Sequence, residues 1–100
     1  MKELNIELFE KAEVYILSLP EKDRAKVFAN IKSMARDQSS VEIKLLKHPI
    51  KELKIKKHRL LFFVDKQTIY IVSGFAKKTQ KTPLQEIRNA EEIAKNIKQK

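Results

Sequence analysis

Between Leu53 and Ala76 the chain repeats one pattern three times, an apolar run closed by a two-residue polar break. Leu53 and Ile55 alternate with Lys54 and Lys56, which predicts a strand with one wet face. Lys57-His58 reads as a tight turn, and Arg59 to Asp65 as a strongly apolar strand. Lys66-Gln67 reads as a second tight turn, and Thr68 to Ala76 as a third strand rich in β-branched and aromatic residues. Breaks this short leave no room for a crossover, so the three strands form an antiparallel meander.

Helical spacing flanks the meander. Leu4, Ile6 and Leu8 alternate with polar residues as a short opening strand; Ala12, Tyr15, Ile16 and Leu19 then fit one helical stripe. Pro20 ends that helix and suits the first turn of a second, whose stripe is Val27, Phe28, Ile31, Met34 and Ala35. The segment from Asp37 to Pro49 is polar and irregular. Thr82-Pro83-Leu84-Gln85 predicts a capped start for a last helix, with Leu84, Ile87, Ala90, Ala94 and Ile97 as its buried stripe. The fold class is α+β: an N-terminal helical pair and a C-terminal helix around a small antiparallel sheet, a single domain over residues 1–100.

Charge is distributed unevenly. The formal net charge is +9, and residues 44–81 alone carry a net of +9, because Glu52 and Asp65 are their only acids. A positive field focused on one segment attracts phosphates, which points to a polyanion and first of all to RNA. The chain has no Cys, and its two His, His48 and His58, are not spaced as a metal pair. With Gly74 the only glycine, a glycine-rich phosphate loop is excluded. Neither a cofactor nor a metal is expected. The longest apolar run, Leu60 to Val64, is too short for a membrane span, so the expected location is the cytoplasm.

The cations define the candidate site. Lys54 and Lys56, two apart, are expected on one face of one strand, with Arg59 directly across the turn. Lysines on an exposed strand also discourage edge pairing, which would explain Lys54 and Lys56 without a ligand. Edge protection does not explain the loop Ala76-Lys77-Lys78-Thr79-Gln80-Lys81-Thr82, whose donors and following helix start suit phosphate.

The stretch Ser73 to Pro83, followed by Glu86-Ile87 and Ala90, resembles a phage-associated, HigB-like branch of the RelE/HigB toxin superfamily. Leu19-Pro20 with Arg24-Ala25-Lys26-Val27, Glu52-Leu53-Lys54-Ile55 and Arg59-Leu60-Leu61-Phe62-Phe63 resemble further signatures of that family, in the same order. The resemblance implies a RelE-like fold and a toxin of a type II toxin–antitoxin pair. It implies a ribosome-dependent mRNA endonuclease, restrained by a cognate antitoxin with a helix-turn-helix domain. It also implies metal-independent attack by the ribose 2′-hydroxyl on the adjacent phosphate. By the same resemblance Arg59 contacts the scissile phosphate, with Lys54, Lys78 and His58 as further catalytic candidates. Lys56, Lys57, Lys77, Thr79, Gln80 and Lys81 would bind RNA. Position 54 is commonly Arg in that branch and is Lys here. Tyr70 is the other candidate for proton transfer, and its alternating strand assigns it to the core instead. Two other readings share the basic face: a ParE-like gyrase poison of the same fold, and a non-catalytic nucleic-acid-binding module.

Overall fold

In the computed structural model, which describes residues 3–78 and 81–98, the order of elements is β1 (Asn5–Leu8), α1 (Glu10–Leu17), α2 (Glu21–Arg36), β2 (Glu42–Lys47), β3 (Ile50–Ile55), β4 (His58–Asp65), β5 (Thr68–Ala76) and α3 (Leu84–Lys98). One sheet runs β1-β5-β4-β3-β2. The expected meander is its antiparallel centre, and β1 adds a parallel edge strand against β5. No helix among the described residues is long and apolar enough to cross a membrane.

Both sheet faces are covered, because β4 is apolar on both. Leu60 and Phe62 pack with Leu53, Ile55, Ile69 and Ile71 against Ala12, Ile16, Val27, Ile31 and Met34 of α1 and α2. Leu61 and Phe63 pack with Ile50 and Val72 against Ala90 and Ala94 of α3. Each large side chain removed from water in this way contributes about 1.5–3 kcal/mol. Tyr70 stacks on Phe63 with ring centroids 5.1 Å apart, which places it in the α3-side core as expected.

Four local expectations change. Residues 42–47, within the segment read as irregular, form β2, paired antiparallel to β3. The second face of β3 is not wet along its length, since Ile50 and Glu52 are fully buried there. The turn after β3 is Lys56-Lys57, with Lys56 at φ 54°, and His58 is the first residue of β4. Lys56 therefore does not share a strand face with Lys54. At the start of α3, Leu84 is 67% exposed, and the Thr82 hydroxyl donates to Glu52 rather than to the helix.

Candidate nucleic-acid interface

Cross-strand register builds the site. Lys54 of β3 stands opposite Arg59 of β4, and Arg59 stands opposite Phe75 of β5. Directly opposed residues share a face, so two cations and an aromatic ring form one row on the α3 side of the sheet. A register shift between Leu61 and Phe62 leaves Val72 as an extra residue in β5. That shift turns Ser73 and Phe75 to the same face as Leu61 and Arg59.

Arg59 is held by its own backbone. Its Nη1 donates to the carbonyl of Lys56 at 2.7 Å and to that of His58 at 2.9 Å. Its Nε is buried, with no acceptor among the described residues. The side chain of Lys54 is 25% exposed and lies 3.7 Å from Glu42 Oε2. The N–H of Lys77 donates to the carbonyl of Lys57 at 2.8 Å, which ties the end of β5 to the β3–β4 turn. Beyond that tie, Phe75, Ala76, Lys77, Lys78, Lys81, Pro83 and Glu86 line a cleft of about 190 Å³. Thr79 and Gln80, expected among the RNA contacts, lie outside the described residues.

His58 and Lys56 do not join this row. His58 neighbours Arg59 along β4, so it points to the opposite face, where it is 2% exposed. Its Nε2 lies 3.1 Å from Asp23 Oδ2 and its Nδ1 2.6 Å from the Tyr15 hydroxyl. A carboxylate only accepts, so Nε2 donates to Asp23, while Nδ1 and the Tyr15 hydroxyl share the second hydrogen bond. Lys56 Nζ lies 3.7 Å from Asp23 Oδ1. The His58 hydrogen bond, helped by the Lys56 charge, holds the Asp23 carboxyl below the usual aspartate range. Burial, followed by the nearby Asp23 charge, pushes the Tyr15 hydroxyl up. Gly74 makes the packing possible: a Cβ there would meet Tyr15 Cδ2 at 2.7 Å and Leu60 Cδ2 at 2.9 Å.

The structure thus divides the predicted residues. Arg59, Lys54, Lys77, Lys78 and Lys81 gather around one row and one cleft, whereas His58 and Lys56 are drawn toward α2 by Asp23. Sequence reasoning missed Phe75, Asp23 and Tyr15 as parts of the site's construction. The signal for Phe75 was its alternation with Ser73 near the end of an otherwise apolar strand. For Asp23 and Tyr15 no local signal existed. Chemically, the row offers a planar cation, a second cation and a ring. That set can hold a phosphate beside a base. Among the described residues no group of three or more His, Asp or Glu could hold a metal ion.

Residues 14–95 match the family described as phage-derived protein Gp49-like. No curated protein matches the sequence. Among solved structures, the chain is similar to the toxin–antitoxin complex RelBE2 from Mycobacterium tuberculosis, with 18% identity, TM-score 0.65, and 76% of this chain and 100% of that chain covered. It is similar to an archaeal RelE–RelB complex from Pyrococcus horikoshii, with 9% identity, TM-score 0.68, and coverage of 77% and 98%. It is also similar to a YoeB dimer from Staphylococcus aureus, with 24% identity, TM-score 0.59, and coverage of 78% and 99%. At these identities the likeness is one of fold.

Proposed function

Because this chain belongs to the phage-derived Gp49-like family and has a RelE-like fold, we propose that it is the toxin of a toxin–antitoxin pair and cuts mRNA on the ribosome. The observation that carries the reading is the Lys54–Arg59–Phe75 row beside the Lys77, Lys78 and Lys81 cleft. In the proposed step the ribose 2′-oxygen attacks the adjacent phosphorus and the bond to the 5′-oxygen breaks. A 2′,3′-cyclic phosphate and a free 5′-hydroxyl result. The 2′-hydroxyl proton leaves, and one proton reaches the 5′-oxygen. The Arg59 guanidinium, aimed by its two carbonyl contacts, donates to a non-bridging oxygen as charge builds on the phosphorane, and Lys54 and Lys78 add positive potential. Lys57, Lys77 and Lys81 hold flanking phosphates, and Phe75 supports a base.

An exposed site of this kind needs cover in resting cells. The proposed partner is a cognate antitoxin with a helix-turn-helix domain that covers the basic row, and the proposed location is the cytoplasm, where ribosomes are. Inducing the chain without an antitoxin, then mapping new mRNA 5′ ends against reading frame, tests the function. Cuts inside translated frames are the expected result. Growth arrest with DNA-damage signalling and intact mRNA would favour the gyrase reading and overturn this one.

A further inference from the structure

Two carbonyls aim the Arg59 guanidinium, those of Lys56 and His58. The side chains of the same two residues leave toward the other face of the sheet and end on one carboxylate. Asp23 takes His58 through Oδ2 at 3.1 Å and Lys56 through Oδ1 at 3.7 Å. We propose that Asp23, on α2, is a positioning residue for Arg59: it clamps the β3–β4 turn from behind and so fixes the two carbonyls that orient the guanidinium. The proposal rests on the reading of Arg59 as the phosphate-binding group.

Each link has a physical reason. Lys56 adopts φ 54°, a left-handed conformation unfavourable for a non-glycine residue, so the turn is not held by local preference alone. An exposed Lys–Asp pair would hold it weakly. Here the same carboxylate also binds a buried imidazole, and that ring is fixed at its far side by Tyr15. The Tyr15 and His58 rings meet edge to face with centroids 5.8 Å apart, and Gly74 leaves the space for Tyr15 to do so. The turn in turn carries the Lys57 carbonyl that receives the Lys77 N–H. A shift of the turn therefore moves Arg59 and the start of the basic loop together. Asp23 touches neither the row nor the cleft, so its effect on RNA chemistry runs through Arg59.

The test is a double-mutant cycle on full-length protein with two readouts. The first is single-turnover cleavage of ribosome-bound mRNA. Asp23→Asn is expected to lower the rate about tenfold, since small misplacement of an aiming group is costly. Ribosome affinity is expected to stay within about threefold, and Asp23→Glu to recover most of the lost rate. In an Arg59→Lys background, Asp23→Asn is expected to add less than about a twofold loss, because its route of action is already cut. Equal losses in both backgrounds would overturn the proposal. Should Asp23→Asn not fold, Tyr15→Phe removes one hydroxyl from the far end of the same chain; a loss in the native background that vanishes with Arg59→Lys is expected, and equal losses again overturn it. The second readout is the Arg59 Nε–H NMR signal of the free protein, expected to be ordered in the native chain and broadened by Asp23→Asn. An unchanged signal overturns the clamp. If the native chain cuts no mRNA, the function fails, while this signal still decides whether Asp23 positions Arg59.

Discussion

Thr82 donates its hydroxyl proton to Glu52 Oε1 across 2.5 Å, tying the root of α3 to the fully buried acid of β3. Glu52 Oε2 is buried as well and finds no partner among the described residues. The basic loop therefore ends on a buried acid two positions along β3 from Lys54, on the same face as the half-buried Lys54–Arg59 row.

Removing that hydroxyl leaves the Glu52 carboxyl buried without it. Thr82→Val keeps the shape and is expected to destabilise the fold by about 1–3 kcal/mol, the usual cost of orphaning a buried polar group. Glu52→Leu together with Thr82→Val is expected to regain much of the loss, because a buried polar pair replaced on both sides by apolar groups is often neutral. Urea unfolding of the single and double variants gives both numbers. Equal stability for Thr82→Val and the native chain would show that the contact contributes nothing.

A second comparison separates fold from function. The last helix buries Ala90 and Ala94 fully, whereas Leu84 at its start faces solvent. Ala90→Asp would place a charge against Leu61, Phe63 and Val72 and is expected to unfold the domain. Lys78→Ala, on an exposed residue, is expected to melt within a few degrees of the native chain and to lose growth arrest. A large drop in melting temperature for Lys78→Ala would make the loop structural.

These choices show where the sequence was legible. The three meander strands announced themselves as apolar runs bounded by two-residue polar breaks, and α3 by apolar residues recurring every three to four positions. Residues 42–47 did not, since Leu45 and Leu46 are adjacent, and the register of β2 shifts between Leu45 and Lys47 to accommodate them. The β3–β4 turn was read one residue late. Reading the turn late ran the strand on through Lys56, on the face of Lys54, and put His58 in the turn, whereas β3 ends at Ile55 and β4 begins at His58. What buries His58 is a tyrosine 43 residues away and an aspartate 35 residues away, contacts that no local pattern contains. That the basic residues crowd into residues 44–81 was readable from charge; that Arg59 faces Lys54 was not, because it follows from the position of the turn.

The depressed Asp23 carboxyl predicts a pH effect on stability. A carboxyl held below its unfolded value contributes stability that is present above that unfolded value, about 3.9, and is lost as pH falls through the folded value. Asp37, lowered by its side-chain and backbone hydrogen bonds from Ser39, acts in the same direction. Stability measured between pH 5 and pH 2 is therefore expected to fall less steeply in Asp23→Asn than in the native chain, with Asp37 supplying part of the remaining slope. Parallel profiles would mean that the His58 and Lys56 contacts do not favour the ionised carboxylate in solution.

The last prediction separates catalysis from binding at Arg59. Arginine presents a planar group that backbone carbonyls can hold at one nitrogen while another donates to a phosphate, and lysine presents a point charge. In the structure that group is fixed through Nη1 by two carbonyls at 2.7 and 2.9 Å, a double contact that one ammonium on a flexible stem does not reproduce in the same plane. Attraction to the ribosome depends mainly on charge, which Arg59→Lys retains along with Lys54, Lys77 and Lys78. Phosphorane stabilisation depends on geometry as charge builds in the transition state. Arg59→Lys is therefore expected to keep ribosome affinity within a few-fold and to lower single-turnover mRNA cleavage by roughly a hundredfold, about 3 kcal/mol of transition-state stabilisation. Cleavage at the native rate would remove Arg59 from the chemistry. Binding and cleavage falling by one common factor would reduce it to a docking residue, and the phosphorane donor would then lie among Lys54, Lys77 and Lys78.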